Sequence, residues 1–157
     1  MVQQKARVLI KNRQARIWSD LRVIRRMARS ILDGLGLSDP EISILLLDDA
    51  QITELNRRFR SRNYPTDVLS FPMAGGPYPA INPHLLGDVV ISVETALRQA
   101  RERDCSLHTE IAGLLIHGIL HLTGYDHERS AAQRMKMRRL EKKLLQRLDA
   151  EGIFRGL

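Results

Sequence analysis

The sequence predicts an α+β fold, a small mixed four-stranded sheet covered by helices. Three observations carry this. Bounded apolar runs of strand length, such as Glu41–Asp48 and Leu86–Ser92, are interleaved with stretches whose apolar residues recur every three or four positions. Glycine and proline punctuate the junctions between them. No repeat, linker or low-complexity tract breaks the 157 residues, so residues 1–157 read as a single domain.

The elements follow in chain order. Ala6–Ile10 is a short apolar run suited to an edge strand. Trp18, Leu21, Ile24, Ala28, Ile31, Leu32 and Leu35 keep helical period, which predicts an amphipathic helix over about 18–33 with Gly34 and Gly36 as its stop. Glu41–Asp48, rich in Ile and Leu and opened by Pro40, is a buried strand. Ala50–Phe59 forms a second helix with Ile52, Leu55 and Phe59 on one face. Asp67–Phe71 is a strand ending at Pro72. Residues 72–85, with Gly75, Gly76 and four prolines, are a loop. Leu86–Ser92 is the fourth strand, and Glu94–Arg103 and Leu107–Leu122 are helices. Ala131–Leu148 is a last amphipathic helix with Met135, Leu140, Leu144, Leu145 and Leu148 inside.

Composition narrows the class of function. Apolar residues make up 43% of the chain, which excludes a disordered protein. One cysteine, Cys105, excludes an intrachain disulfide framework and a cysteine-rich zinc site. No apolar run approaches the roughly 18 residues of a membrane span, and no apolar segment follows Met1 as a secretory signal would require. The expectation is a soluble, cytoplasmic protein with no membrane partner.

The net charge is +7, and the basic residues cluster. Residues 1–30 carry nine Lys and Arg against Asp20 alone. Residues 129–155 carry nine more against Glu141, Asp149 and Glu151, and Arg57, Arg58, Arg60 and Arg62 form a third knot. Such a field suits a polyanion, although basic helix faces also serve solubility. With aromatics at only 4%, a stacking platform for bases is not expected, so any RNA contact is expected mainly at phosphates.

The chemistry concentrates in one run: His117-Gly-Ile-Leu-His121-Leu-Thr-Gly124-Tyr-Asp-His127. Residues four apart on a helix lie about 40° apart around its axis, so His117 and His121 project from one face. Gly124 suits the left-handed residue that ends a helix, after which the chain can return His127 to the pair. Three neutral imidazoles leave a fourth position for water, the arrangement of a catalytic metal. A metal there lowers the pKa of bound water. Histidines four apart also occur without any metal; the third histidine and the glycine make this spacing specific. His108 lies off the stripe and reads as an exposed or capping residue. His84, in the proline-rich loop, reads as structural or solvent-facing.

The spacing is similar to the metzincin signature H-E-x-x-H-x-x-G-x-x-H, but Gly118 stands where that class has its glutamate base. Proteolysis is therefore disfavoured. The whole run instead resembles the H-G-x-L-H-L-x-G-Y-D-H motif of the YbeY-type metal-dependent endoribonucleases. Arg60-Ser-Arg-Asn-Tyr-Pro-Thr66-Asp-Val-Leu-Ser70-Phe resembles that family's R-x-x-x-x-P-T-x-V-L-S-F segment. Leu86-Gly-Asp-Val-Val-Ile91 is similar to its L-G-D-[IL]-x-I strand. The likeness covers about residues 42–127. Ser61 stands where the family often has Gly, and Tyr64 where Lys is common; the lost Lys charge weakens one phosphate contact unless Arg62 replaces it.

The resemblance implies a zincin-like α/β sandwich and cleavage of single-stranded RNA, with roles in 16S rRNA 3′-end maturation and ribosome quality control. It implies one Zn2+ ion held by His117, His121 and His127, and an Arg60 that acts at the RNA. The implied partners are single-stranded RNA, precursor small-subunit rRNA and the ribosome. Read without the family, Arg60 is as well explained as a charge at a helix C-terminus. Asp126 is either a carboxylate behind a ligand imidazole or a turn residue. Ser70 is expected to be a satisfied polar group rather than a nucleophile, and Tyr125 a packing residue. Attack by water and attack by the ribose 2′-OH both stay open. Two other functions compete: a zinc hydrolase of another substrate such as a peptide, and a non-catalytic ribosome-associated RNA-binding factor.

Overall fold

The computed structural model describes residues 5–73, 84–126 and 130–156. Four strands and five helices are present among them: β1 Arg7–Asn12, α1 Leu21–Gly34, β2 Glu41–Leu47, α2 Asp49–Arg60, β3 Val68–Pro72, β4 Leu85–Ser92, α3 Val93–Glu102, α4 Leu107–Leu122 and α5 Ala131–Ala150. The fold is α+β, as expected. The sheet order is β1-β2-β4-β3. β1 runs parallel to β2 and β2 parallel to β4, while β3 returns antiparallel on β4. The sheet is thus mixed, and β1 lies at an edge as predicted.

Strand alternation sorts the side chains onto two faces. Val8, Ile42, Ile44, Leu46, Val89 and Ile91 point into the main core. They meet Ile24, Met27 and Ile31 of α1, Ile111, Leu115 and Ile119 of α4, and Leu144 and Leu148 of α5. The opposite face carries Leu45, Leu47, Leu69, Val90 and Phe71, on which α2 lays Ile52 and Leu55. Helix α4 is apolar around most of its circumference because α1, α3, α5 and the sheet surround it. Its Leu107–Leu122 bounds match the sequence reading. No helix of the described residues is long and apolar enough to cross a membrane.

Caps fix the helix starts. Asp20, Asp48, Ser92, Ser106 and Ser130 each stand in extended backbone and accept a hydrogen bond from the helix's first turn. Asp48 and Gln51 form a reciprocal capping box. The Asp49 carboxylate accepts from Ser92 Oγ and Thr95 Oγ1, each at 2.6 Å, joining the starts of α2 and α3.

Several expectations are corrected. The first helix starts only after Asp20, so Trp18 lies outside it and is 74% exposed. Trp18 instead sets its ring edge-on to His108, 5.9 Å away. That helix also runs through Gly34 and stops at Leu35, before Gly36. Phe59 is exposed rather than inward, its ring packed at 5.3 Å on Phe71. Met135 and Leu145 are exposed, and Met137 takes the buried place. The stripe that docks is Met137, Leu140, Leu144 and Leu148, spaced by three and four residues. His108 is buried, not exposed. Its Nε2 accepts the backbone N–H of Asp20 at 3.0 Å, so it completes the cap region of α1, while Ser106 caps its own helix. Of the expected loop 72–85, residues 74–83 lie outside the described residues.

Candidate metal centre and substrate cleft

The site is assembled by the end of α4 and the segment from the end of α2 through β3. His117 and His121, one turn apart on α4, bring their Nε2 atoms to 3.0 Å. The rings meet edge-on, with centroids 4.6 Å apart. Two nitrogens bound at about 2.0–2.1 Å to one tetrahedral ion sit about 3.3 Å apart, so this pair is already near ligand spacing. His127 lies outside the described residues. Among the described residues, no third His, Cys, Asp or Glu joins the pair to make a cluster of three. Gly124 follows α4 at φ +97°, the positive backbone angle expected where the helix ends before His127.

The other edge of the His117 ring meets α5. His117 Nδ1 donates to Glu141 Oε1 at 2.9 Å. The sequence reading weighed Asp126 for a role behind a ligand imidazole and did not reach Glu141, which lies 24 residues beyond His117. Glu141 adjoins Leu140 on the docking stripe of α5, and only the packing of α5 on α4 turns it to the histidine. Asp126 lines the cleft beside the histidines.

That cleft has a volume of about 560 Å³. His117, His121 and Asp126 form one side, and Arg60, Arg62, Tyr64, Thr66 and Ser70 line the other. Arg60 is the last residue of α2, and Ser61 beyond it is left-handed at φ 54°. This turn is why the family-like segment leaves the helix abruptly and enters the cleft wall. Buried Asn56 holds the turn: its Nδ2 donates to the Tyr64 carbonyl at 2.9 Å, and its carbonyl accepts the Arg62 N–H at 3.3 Å. Arg60 Nη2 donates to the Ser70 carbonyl at 3.1 Å. That bond uses one of five guanidinium N–H groups and fixes the side chain along the cleft wall.

Ser70 is the satisfied polar group expected, with its Oγ donating to the Gly118 carbonyl at 3.0 Å. A Cβ at Gly118 would lie 2.8 Å from Val89 Cγ1 and 3.2 Å from Ser70 Oγ. Helix α4 therefore rides directly on the sheet at this position, and a glutamate has no space there. The peptidase reading loses its base for a steric reason as well as a sequence one. Cys105 offers no alternative nucleophile: burial, and then the Glu110 charge, push its thiol up. His84 is exposed, as expected, and Tyr125 packs on the core beneath Lys136.

The chain matches the family model described as "Endoribonuclease YbeY" over residues 9–149. It is 43% identical over 148 residues to a protein of that name from Geobacter metallireducens, covering 94% of this chain and 99% of that one. It is 45% identical over 148 residues to another from Aquifex aeolicus, covering 93% of this chain and 94% of that one. The solution structure of TM1509 from Thermotoga maritima superposes with a TM-score of 0.66 at 25% identity, over 92% of this chain and 90% of that one. Motif, fold and cleft thus converge on one lineage, and the chain belongs to the YbeY endoribonuclease family.

Proposed function

We propose that the chain is a zinc-dependent endoribonuclease that cuts single-stranded RNA and works on the 3′ end of precursor 16S rRNA and in ribosome quality control. The observation that carries this is the juxtaposition of the His117–His121 pair with Arg60 across one cleft. The imidazole pair suits a borderline-soft divalent ion, and His127, six residues past His121, is the third ligand in this reading. When bound, such an ion supplies a Lewis acid beside the scissile phosphate.

The chain's own residues do the rest. Arg60 offers paired N–H groups to phosphate oxygens, a geometry a lysine does not reproduce. Its bond to the Ser70 carbonyl holds the exposed guanidinium beside the cleft wall. Arg62 lines the same wall and offers a second cation to the RNA backbone. Tyr64 lines the same cleft. The distributed basic residues of a +7 chain draw the polyanion to the cleft.

The test pairs zinc content with cleavage of a precursor rRNA 3′ end. His117→Ala is expected to lose both. Arg60→Glu is expected to keep zinc and lose at least tenfold in cleavage rate, the range of one lost charge-assisted phosphate contact. Full cleavage by a zinc-free His117→Ala protein overturns the reading. A 2′-deoxy nucleotide at the scissile position then separates the two attacks: cleavage that survives it proceeds through water. Robust casein hydrolysis by the zinc form would favour the peptide-hydrolase alternative instead.

A further inference from the structure

The pairing of His117 with Glu141 carries a consequence for how the proposed metal is held. We infer that Glu141 of α5 is a positioning residue: it locks the His117 ring in the Nδ1–H tautomer and so presents Nε2 to the metal. The inference rests on the metal reading above.

The geometry is specific. Glu141 Oε1 lies 2.9 Å from His117 Nδ1, while His117 Nε2 lies 3.0 Å from His121 Nε2. The carboxylate and the second histidine therefore meet opposite nitrogens of one ring. An ionised carboxylate only accepts, so the proton of that bond belongs to Nδ1. A neutral ring with its proton on Nδ1 carries its lone pair on Nε2. In the contact between the two rings, His121 Nε2 is then the donor. An ion held through both Nε2 atoms would leave the His117 tautomer as it is and would require the His121 proton on Nδ1. Both partners are about one-third exposed, so the pair lies at the wall of a groove and not in the core. Arg138 and Lys142 line that groove with them.

Helix α5 is held in a way that gives this bond a fixed origin. Met137, Leu144 and Leu148 are buried on the same helix, before and after Glu141. Farther on, Glu151 accepts from Ser30 Oγ at 2.7 Å, and Arg147 Nε donates to the same Ser30 Oγ at 3.3 Å. The carboxylate is thus delivered by a docked helix to a ring on another helix. Carboxylates placed behind ligand histidines usually change metal affinity by about 10- to 100-fold.

Zinc affinity, by competition with a chromophoric chelator, and the His117 ring tautomer, by 15N–1H spectroscopy of the metal-free protein, test this on the full chain. Glu141→Ala is expected to weaken zinc at least tenfold and to raise the Nε2–H population of His117. Glu141→Gln, which keeps an acceptor at the same place, is expected to restore part of both. Zinc affinity within twofold of the parent in Glu141→Ala overturns the inference. A weakened affinity with an unchanged tautomer, accompanied by a lowered melting temperature of the metal-free protein, also overturns it by making Glu141 a packing residue. Failure of the metal reading looks different: the parent itself, or His117→Ala and the parent equally, then ignore zinc. The tautomer measurement still reads the bond in that case.

Discussion

Ser70 Oγ donates to the backbone carbonyl of Gly118 at 3.0 Å, tying strand β3 to the middle of helix α4 one residue past His117. The bond is possible because Gly118 has no side chain. A methyl group there would press on Val89 Cγ1 at 2.8 Å. Gly118→Ala is expected to destabilise the protein by about 1–3 kcal/mol, the usual cost of overpacking. Urea denaturation checks it. Val89→Ala in the same chain should recover part of the loss, so the two changes are expected to be non-additive. Additivity within error would mean that the two groups do not meet.

Ser61 ends α2 in a left-handed conformation at φ 54°, which a Cβ disfavours. Glycine has no such penalty. Ser61→Gly is expected to stabilise the fold by about 0.5–1 kcal/mol, partly offset by the looser unfolded chain. The melting temperature should rise by about 1–4 °C. An unchanged or lowered melting temperature would show that Ser61 contributes a contact that outweighs its backbone strain.

His108 makes stability depend on pH. Burial pushes its imidazole below the ordinary 6.5, and the Asp20 charge opposes this only in part. The unfolded chain therefore takes up this proton more readily than the folded one. The contribution of His108 is complete above pH 6.5 and declines as pH falls from there toward the folded value. His108→Gln removes the titration. Between pH 7.5 and 5.5, with chelator present, the parent is expected to lose more stability than His108→Gln, with a slope difference of at most about 1.4 kcal/mol per pH unit. Parallel curves would refute the assignment.

Local chemistry made much of this architecture legible. Helix α4 was bounded correctly because Ser106 caps it, Gly124 follows it and nearly everything between is apolar. The strands were found because short Ile-, Leu- and Val-rich runs end at Pro72, Asp48 and Ser92. The misreadings share a physical origin. On α5, Met135 stands two residues from Met137 and so about 200° around the helix; hydrophobicity alone does not choose between them, but docking on α4 does. Trp18 kept the helical period yet precedes the capping aspartate. His108 looked like an exposed polar residue because its partner is a backbone N–H 88 residues earlier. In the site, the His117–His121 pair followed from spacing, whereas Glu141 required knowing which face of α5 meets α4.

The contact between Arg60 and Ser70 lies at a sheet edge. Strand β3 is the outer strand on its side of the sheet, and its residues Val68–Ser70 border the cleft. A sheet margin of that kind is a template on which an extended polypeptide zips in by backbone pairing. Here the strand is five residues long, stops at a proline, and has the carbonyl of Ser70 already engaged by a guanidinium. The Arg60 guanidinium thus occupies one of the few backbone acceptors along which an extended peptide would align, and this edge is a poor template for strand addition.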